Sequence, residues 1–131
     1  MDKVEEFLAT LKSTILSTAP DSSLILSDRD GFVLGKLIDK NDSADKIIEN
    51  SALSIFSTST DQASKLYSGK NKAIVSYFED RIVVHINVTN VILSIVTDTD
   101  SNVGVILGAQ NDIVRSLNNL SNSIQIDLQD M

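Results

Sequence analysis

The chain predicts an α+β fold, a layered domain with one five-stranded antiparallel sheet and helices on its faces. Its elements follow the order α-β-β-α-β-β-β-α. Three observations predict it. Apolar residues recur at helical spacing near both ends. Five short runs rich in β-forming residues lie between them. Turn signals separate those runs by only a few residues.

Val4, Phe7, Leu8, Leu11 and Ile15 share one helical face, so an amphipathic helix is expected over about 3–17, and Pro20 prevents its continuation. SLILSD, residues 23–28, reads as a strand. Asp28-Arg29-Asp30-Gly31 is a turn, with Gly31 free to take positive φ, and residues 32–38 form the second strand of a hairpin. DKNDSAD, residues 39–45, is a polar loop. A second helix is expected from about 45 to 67, its later part rich in Ser, Thr and Ala, with Gly69 as its C-terminal stop. Strands follow at about 73–78, 81–87 and 91–97, joined by turns at Glu79-Asp80 and at 87–90. The loop 98–101 ends in helix-capping residue types. A last helix carries Val103, Ile106, Leu107, Ile113, Val114, Leu117 and Leu120 on one face. Residues 121–131 read as a C-terminal tail, leaving a core of about 3–120 within one domain spanning 1–131.

Composition bounds the function. In 131 residues, 42% are hydrophobic, enough for one real core. The net charge of -7 opposes binding to nucleic acid, which needs a basic face, and direct docking on anionic lipid. The absence of Cys excludes disulfides, thiolate catalysis and zinc ribbons. The acidic, amphipathic start is not a signal peptide, and the apolar run 91–96 is too short to span a bilayer. The expectation is a cytoplasmic protein whose membrane location, if any, is supplied by a partner.

No catalytic, cofactor or metal site emerges. Asp28-x-Asp30-Gly31 and Asp98-x-Asp100-x-Asn102 resemble calcium loops. Counted as EF-hands, however, they place Val33 and Asp39, or Val103 and Ala109, where Gly and Glu are required. They read as turns and a helix cap. His85 is the one histidine and has no evident partner. Lys70 and Lys72 in SGKNK lack the glycine run and following helix of a phosphate loop, so they read as a solvated turn. Gly104 and Gly108 are expected to let the last helix lie close on the sheet. The small residues Ser57, Ser59, Thr60, Ala63 and Ser64 are the exception, because they would let another helix approach closely. Strand 73–78 strengthens an interface reading, since at a sheet edge it would be an aggregation hazard unless paired.

SDRDG at 27–31, TDQASKL at 60–66, KNKAIVSYF at 70–78 and the Asn-x-Gly at 102–104 carry a resemblance. The chain resembles the roadblock (dynein light chain) family, whose fold is profilin-like. Within that family it is similar to mitogen-activated-protein-kinase scaffold subunits of the late-endosomal and lysosomal adaptor complex Ragulator. The likeness covers about 7–120. The sequence departs from the pattern in a longer loop at 40–45, low aromatic content and an Asn/Ser-rich C-terminal end.

The resemblance implies a non-catalytic heterodimer with a second roadblock subunit, pairing through the second helix and third strand. It also implies a lipidated anchoring subunit, recruitment of Rag GTPases and of MEK and ERK kinases, and residence on the cytosolic face of late endosomes and lysosomes. The expected interface comprises Ser59, Thr60, Ala63, Leu66 and Tyr67 on one helix face, with Val75 and Tyr77 on one strand face. The alternatives are a dynein roadblock-type light chain and a roadblock regulator of a small GTPase. The SKL–KNK segment favours the scaffold. Against a catalytic regulator, Arg29, Arg81 and Arg115 are the only arginines, and of these only Arg29, in the hairpin turn, sits in a distinctive motif.

Overall fold

A computed structural model describes residues 3–14, 22–38, 50–88 and 90–129, with side chains described outside 50–54 and 121–129. The elements are α1 (Lys3–Thr14), β1 (Ser23–Asp28), β2 (Val33–Leu37), α2 (Asn50–Ala63), β3 (Ala73–Tyr77), β4 (Ile82–Val88), β5 (Val91–Thr97), α3 (Val103–Gly108) and α4 (Gln110–Gln129). The strands form one sheet in the order β2-β1-β5-β4-β3, with every described neighbouring pair antiparallel. The predicted class and element order are those observed. The expected loop 39–45, the start of the second helix and the residues around Pro20 lie outside the described residues.

β5 is the axis of the sheet. It pairs along its length with β1 (Ser23↔Val96 to Asp28↔Val91) and with β4 (Ile82↔Thr97 to Val88↔Val91). Because side chains alternate across a strand, VILSIVT feeds two interiors. On one face Leu93 and Ile95 join Leu24, Leu26, Val84 and Ile86 under Leu8 and Leu11 of α1, Ile106 of α3, and Ile113 and Leu117 of α4. On the other, Ile25, Val83 and Val96 form a smaller cluster. Phe56 places α2 over this second face by stacking on His85 of β4, with centroids 4.3 Å apart.

The hairpin turn has a local cause. The Asp28 carboxylate accepts the backbone N–H groups of Asp30 and Phe32, both at 2.9 Å, while Gly31 takes φ 91°. Asn102 caps α3 by accepting the Val105 N–H at 3.3 Å. Both former calcium-loop candidates are thus turn and cap chemistry.

Five expectations are corrected. α2 ends at Ala63 and tightens into a 3₁₀ turn over Ser64–Leu66. Tyr67 (φ 61°), rather than Gly69, occupies the left-handed capping position. The last helix is two helices, broken at Ala109. The expected tail is helical as far as Gln129, because Ile113, Leu117, Leu120, Ile124 and Leu128 sustain helical spacing and no Gly or Pro interrupts it. Finally, Gly104 and Gly108 do not admit the sheet. A Cβ at Gly108 would meet nothing within 4 Å, and one at Gly104 would meet only the Asn102 cap at 3.1 Å.

The glycine that permits close approach is Gly35 of β2. A Cβ there would collide with Val4 Cγ1 and stand 3.1 Å from Val4 Cβ, on α1. A helical valine has essentially one rotamer, so the relief must come from moving the helix. Replacing a strand glycine ordinarily gains about 0.5–1 kcal/mol from backbone entropy. Overpacking at this contact costs about 1–3 kcal/mol and outweighs that gain. Gly35→Ala is therefore expected to lower the urea midpoint, and Val4→Ala added to it should recover part of the loss. A Gly35→Ala chain more stable than wild type would contradict this packing.

Candidate functional site

Among the described residues the two faces of the sheet are unequally covered, and the candidate site follows from that inequality. Three helices lie on one face. On the other, α2 leaves an open groove of about 270 Å³ between itself and the outer strands. Its helical side is Ile55, Phe56 and Ser59. Its strand side is Ile74, Ser76, Phe78, Val83 and His85. These strand residues share one face by register, with Ile74 opposite His85 and Ser76 opposite Val83. Ile55 and Phe78 remain 63% and 56% exposed at the rims. β3 bonds only to β4 and ends the sheet, so its outer row of backbone groups is unpaired within the sheet. An open strand edge thus runs beside an apolar groove.

The expected interface residues are only partly brought together there. Ser59 lines the groove, and Ala63, one turn further along α2, is half-buried. Leu66, Tyr67 and Tyr77 are exposed large side chains beyond α2 and at the end of β3. Thr60 and Val75 do not line the groove. Thr60 is buried and donates to Asn71 Oδ1 at 2.7 Å, and Val75 packs on the three-helix core. Val75 and Tyr77 have the opposite parity on β3 from the groove residues Ile74, Ser76 and Phe78. Periodicity separates Val75 and Tyr77 from Ile74, Ser76 and Phe78, but only the packing of α2 decides which set faces the groove. Sequence reasoning also missed Ile55 and Phe78. Ile55 lies one helical turn before Ser59, and extending the small-residue stripe by that turn reaches it.

His85 sits on the groove floor between Phe56 and Ser94. Its Nδ1 lies 2.8 Å from Ser94 Oγ. Burial lowers its pKa from 6.5 to about 4 by penalising the imidazolium. The folded chain therefore keeps a neutral ring where the unfolded chain takes up a proton. The resulting stability is complete above pH 6.5 and declines as pH falls toward 4, by on the order of 1–3 kcal/mol in total. His85→Gln keeps a hydrogen-bonding group without the titration. Urea unfolding at stepped pH should give a shallower loss of stability between pH 6.5 and 4 for His85→Gln than for wild type. Parallel profiles would show that His85 titrates alike in both states.

The arginine of the hairpin turn is engaged. Arg29 donates to Asn87 Oδ1 at 2.7 Å and to Asp61 Oδ1 at 2.8 Å, tying the β1–β2 turn to β4 and α2. Among the described residues no group of three or more His, Cys, Asp or Glu could hold a metal ion, and no helix is long and apolar enough to cross a membrane.

Comparison with known proteins bears on the family and the fold. A family model described as mitogen-activated protein kinase kinase 1 interacting matches residues 2–124. A Dictyostelium discoideum protein named Ragulator complex protein LAMTOR3 homolog is 68% identical over 132 residues, covering 100% of both chains. Among solved structures, the gliding protein MglB from Thermus thermophilus superposes with a TM-score of 0.74 at 14% identity, over 94% of each chain. A roadblock/LC7 domain from Streptomyces avermitilis gives 0.65 at 17% identity, over 82% of this chain and 92% of its own. The fold is that of roadblock/LC7 domains.

Proposed function

The chain belongs to the mitogen-activated protein kinase kinase 1 interacting family, and on that premise we propose that it is a non-catalytic adaptor subunit of a Ragulator-type complex. It pairs with a second roadblock-domain subunit through α2 and the open edge of β3. The observation that carries this reading is the apolar groove beside an unpaired strand edge, with Ile55 and Phe78 at its rims. A second chain of the same fold can supply both halves of what is missing. Its own edge strand adds to β3 through backbone hydrogen bonds, and its helix fills the groove beside α2. The 68% identity to a Ragulator subunit supports the choice of complex.

The heterodimer then serves as a platform. It recruits Rag GTPases for nutrient and TOR signalling, and MEK and ERK kinases for scaffolded signalling. A lipidated subunit of the complex holds it on the cytosolic face of late endosomes and lysosomes, since a chain of net charge -7 gains nothing from an anionic bilayer.

Substitution in the groove tests the pairing. Burying an arginine in an apolar interface is costly, so Ile55→Arg should weaken the heterodimer at least about tenfold, equivalent to about 1.4 kcal/mol. Ala63→Arg, on the same stripe, should act in the same direction. Asn119→Arg, on an exposed turn of α4 beyond the opposite face, should leave assembly intact. Co-expression with the second subunit followed by size-exclusion chromatography reads all three. Full co-elution of Ile55→Arg would refute the assigned surface. Affinity capture from native cells should return a second roadblock protein and Rag GTPases. Dynein intermediate chain in their place would favour the light-chain alternative.

A further inference from the structure

A second concavity, which shares no lining residue with the groove, opens at the end of the sheet where the β1–β2 turn, the end of α2, the segment before β3 and the middle of α4 converge. Its volume is about 520 Å³, within the range of clefts that hold a drug-sized ligand. Three cations line it, Arg29, Lys70 and Lys72, against one carboxylate, Asp61. This local excess of positive charge stands on a chain whose net charge is -7.

The basic wall is held in place by a polar network. Asn71 sits between the two lysines and points its side chain inward, where its Oδ1 accepts from Thr60. Its N–H donates to Ser64 Oγ at 2.9 Å, and its carbonyl accepts from Asn87 Nδ2 at 2.9 Å. The Lys72 carbonyl accepts the Asn87 N–H at 2.8 Å. The backbone of 70–72 is therefore pinned to α2 and β4. Lys70 and Lys72 flank Asn71, and both line the cleft. Neither ammonium has an ion-pair partner among the described residues.

The chemistry favours carboxylates over a phosphoryl group. Phosphate sites typically offer a free guanidinium fork or a nest of backbone N–H groups. Here both terminal nitrogens of Arg29 are engaged, one of them by Asp61, whose charge repels a dianion. What remains is two separate point charges, an amide at Asn118 and an apolar patch from Val88 and Val114. We propose that this cleft docks an acidic peptide segment of a partner protein, its carboxylates on Lys70 and Lys72 and an apolar side chain of the peptide against Val88 and Val114.

The test is an NMR titration of the ¹⁵N-labelled full chain with the blocked pentapeptide Glu-Glu-Leu-Glu-Glu. Its uncharged counterpart Gln-Gln-Leu-Gln-Gln and inorganic phosphate run alongside. The acidic peptide should give saturable shifts at the amides of residues 70–72, 87–88 and 114–118, weakening as salt is raised. The uncharged peptide should fail to saturate. The double variant Lys70→Glu/Lys72→Glu should lose at least tenfold in affinity while its remaining spectrum stays that of the wild type. The proposal is overturned if the acidic peptide produces no saturable shifts, if they map to the α2–β3 groove, or if they persist in the double variant. Equal affinity for inorganic phosphate would also overturn it, leaving a simple anion site. None of these outcomes depends on heterodimer formation, so the two readings fail separately.

Discussion

Everything in this domain depends on β5 being buried on both sides. It is paired along its length with β1 on one side and β4 on the other. From Ile92 to Thr97 every residue is buried. A strand in that position cannot leave either face of its sheet to water, so helices must lie on both. The faces are not equivalent. Leu93, Ile95 and their neighbours from β1 and β4 build the larger interior, covered by α1, α3 and α4. The second interior is small, centred on Ile25, Val83 and Val96.

The functional surface grows from this asymmetry. Among the described residues one helix, α2, is set over this face of the sheet. α2 fills part of the second face with Phe56 on His85 and stops short of Ile74, Ser76 and Phe78. The same strands end in β3, which has no outer neighbour in the sheet. An uncovered apolar floor and an unpaired backbone edge lie side by side because both result from the sheet being wider than the helix layer above it. Water is a poor partner for the first, and another strand is a better partner for the second. The adaptor reading needs no chemistry beyond these two deficits.

A different logic holds the far end of the sheet. Arg29, Asp61, Asn71 and Asn87 come from four separate stretches of the chain and are joined by short hydrogen bonds. Thr60 of α2 and Ser64 of the 3₁₀ turn after it, small residues that suit a helix contact, instead face this network. Their role is to position the approach to β3. A polar network of this kind is stabilising only when its members are satisfied together, and it fixes geometry more than it adds net free energy. It orients the edge strand that the groove accompanies, and it pins the backbone that carries Lys70 and Lys72.

The sequence by itself determined the class and order of the elements, the hairpin at Asp28–Gly31 and the strand character of β3. Local chemistry suffices for these: period-two and period-3.6 patterns, a carboxylate closing its own turn, a glycine where φ is positive. Its motifs also carried the family resemblance. The tertiary structure alone decided which parity of β3 faces the groove, because alternation defines two faces without saying which helix covers which. It decided that Thr60 turns inward, since its partners Asn71 and Asn87 lie 11 and 27 residues away. It decided that Gly35, and neither Gly104 nor Gly108, is the site of close approach, because only packing brings Val4 of α1 against β2. Short-range physics writes the elements into the chain. The register, the covered face and the cleft arise from contacts between residues far apart in sequence, and a linear pattern does not specify them.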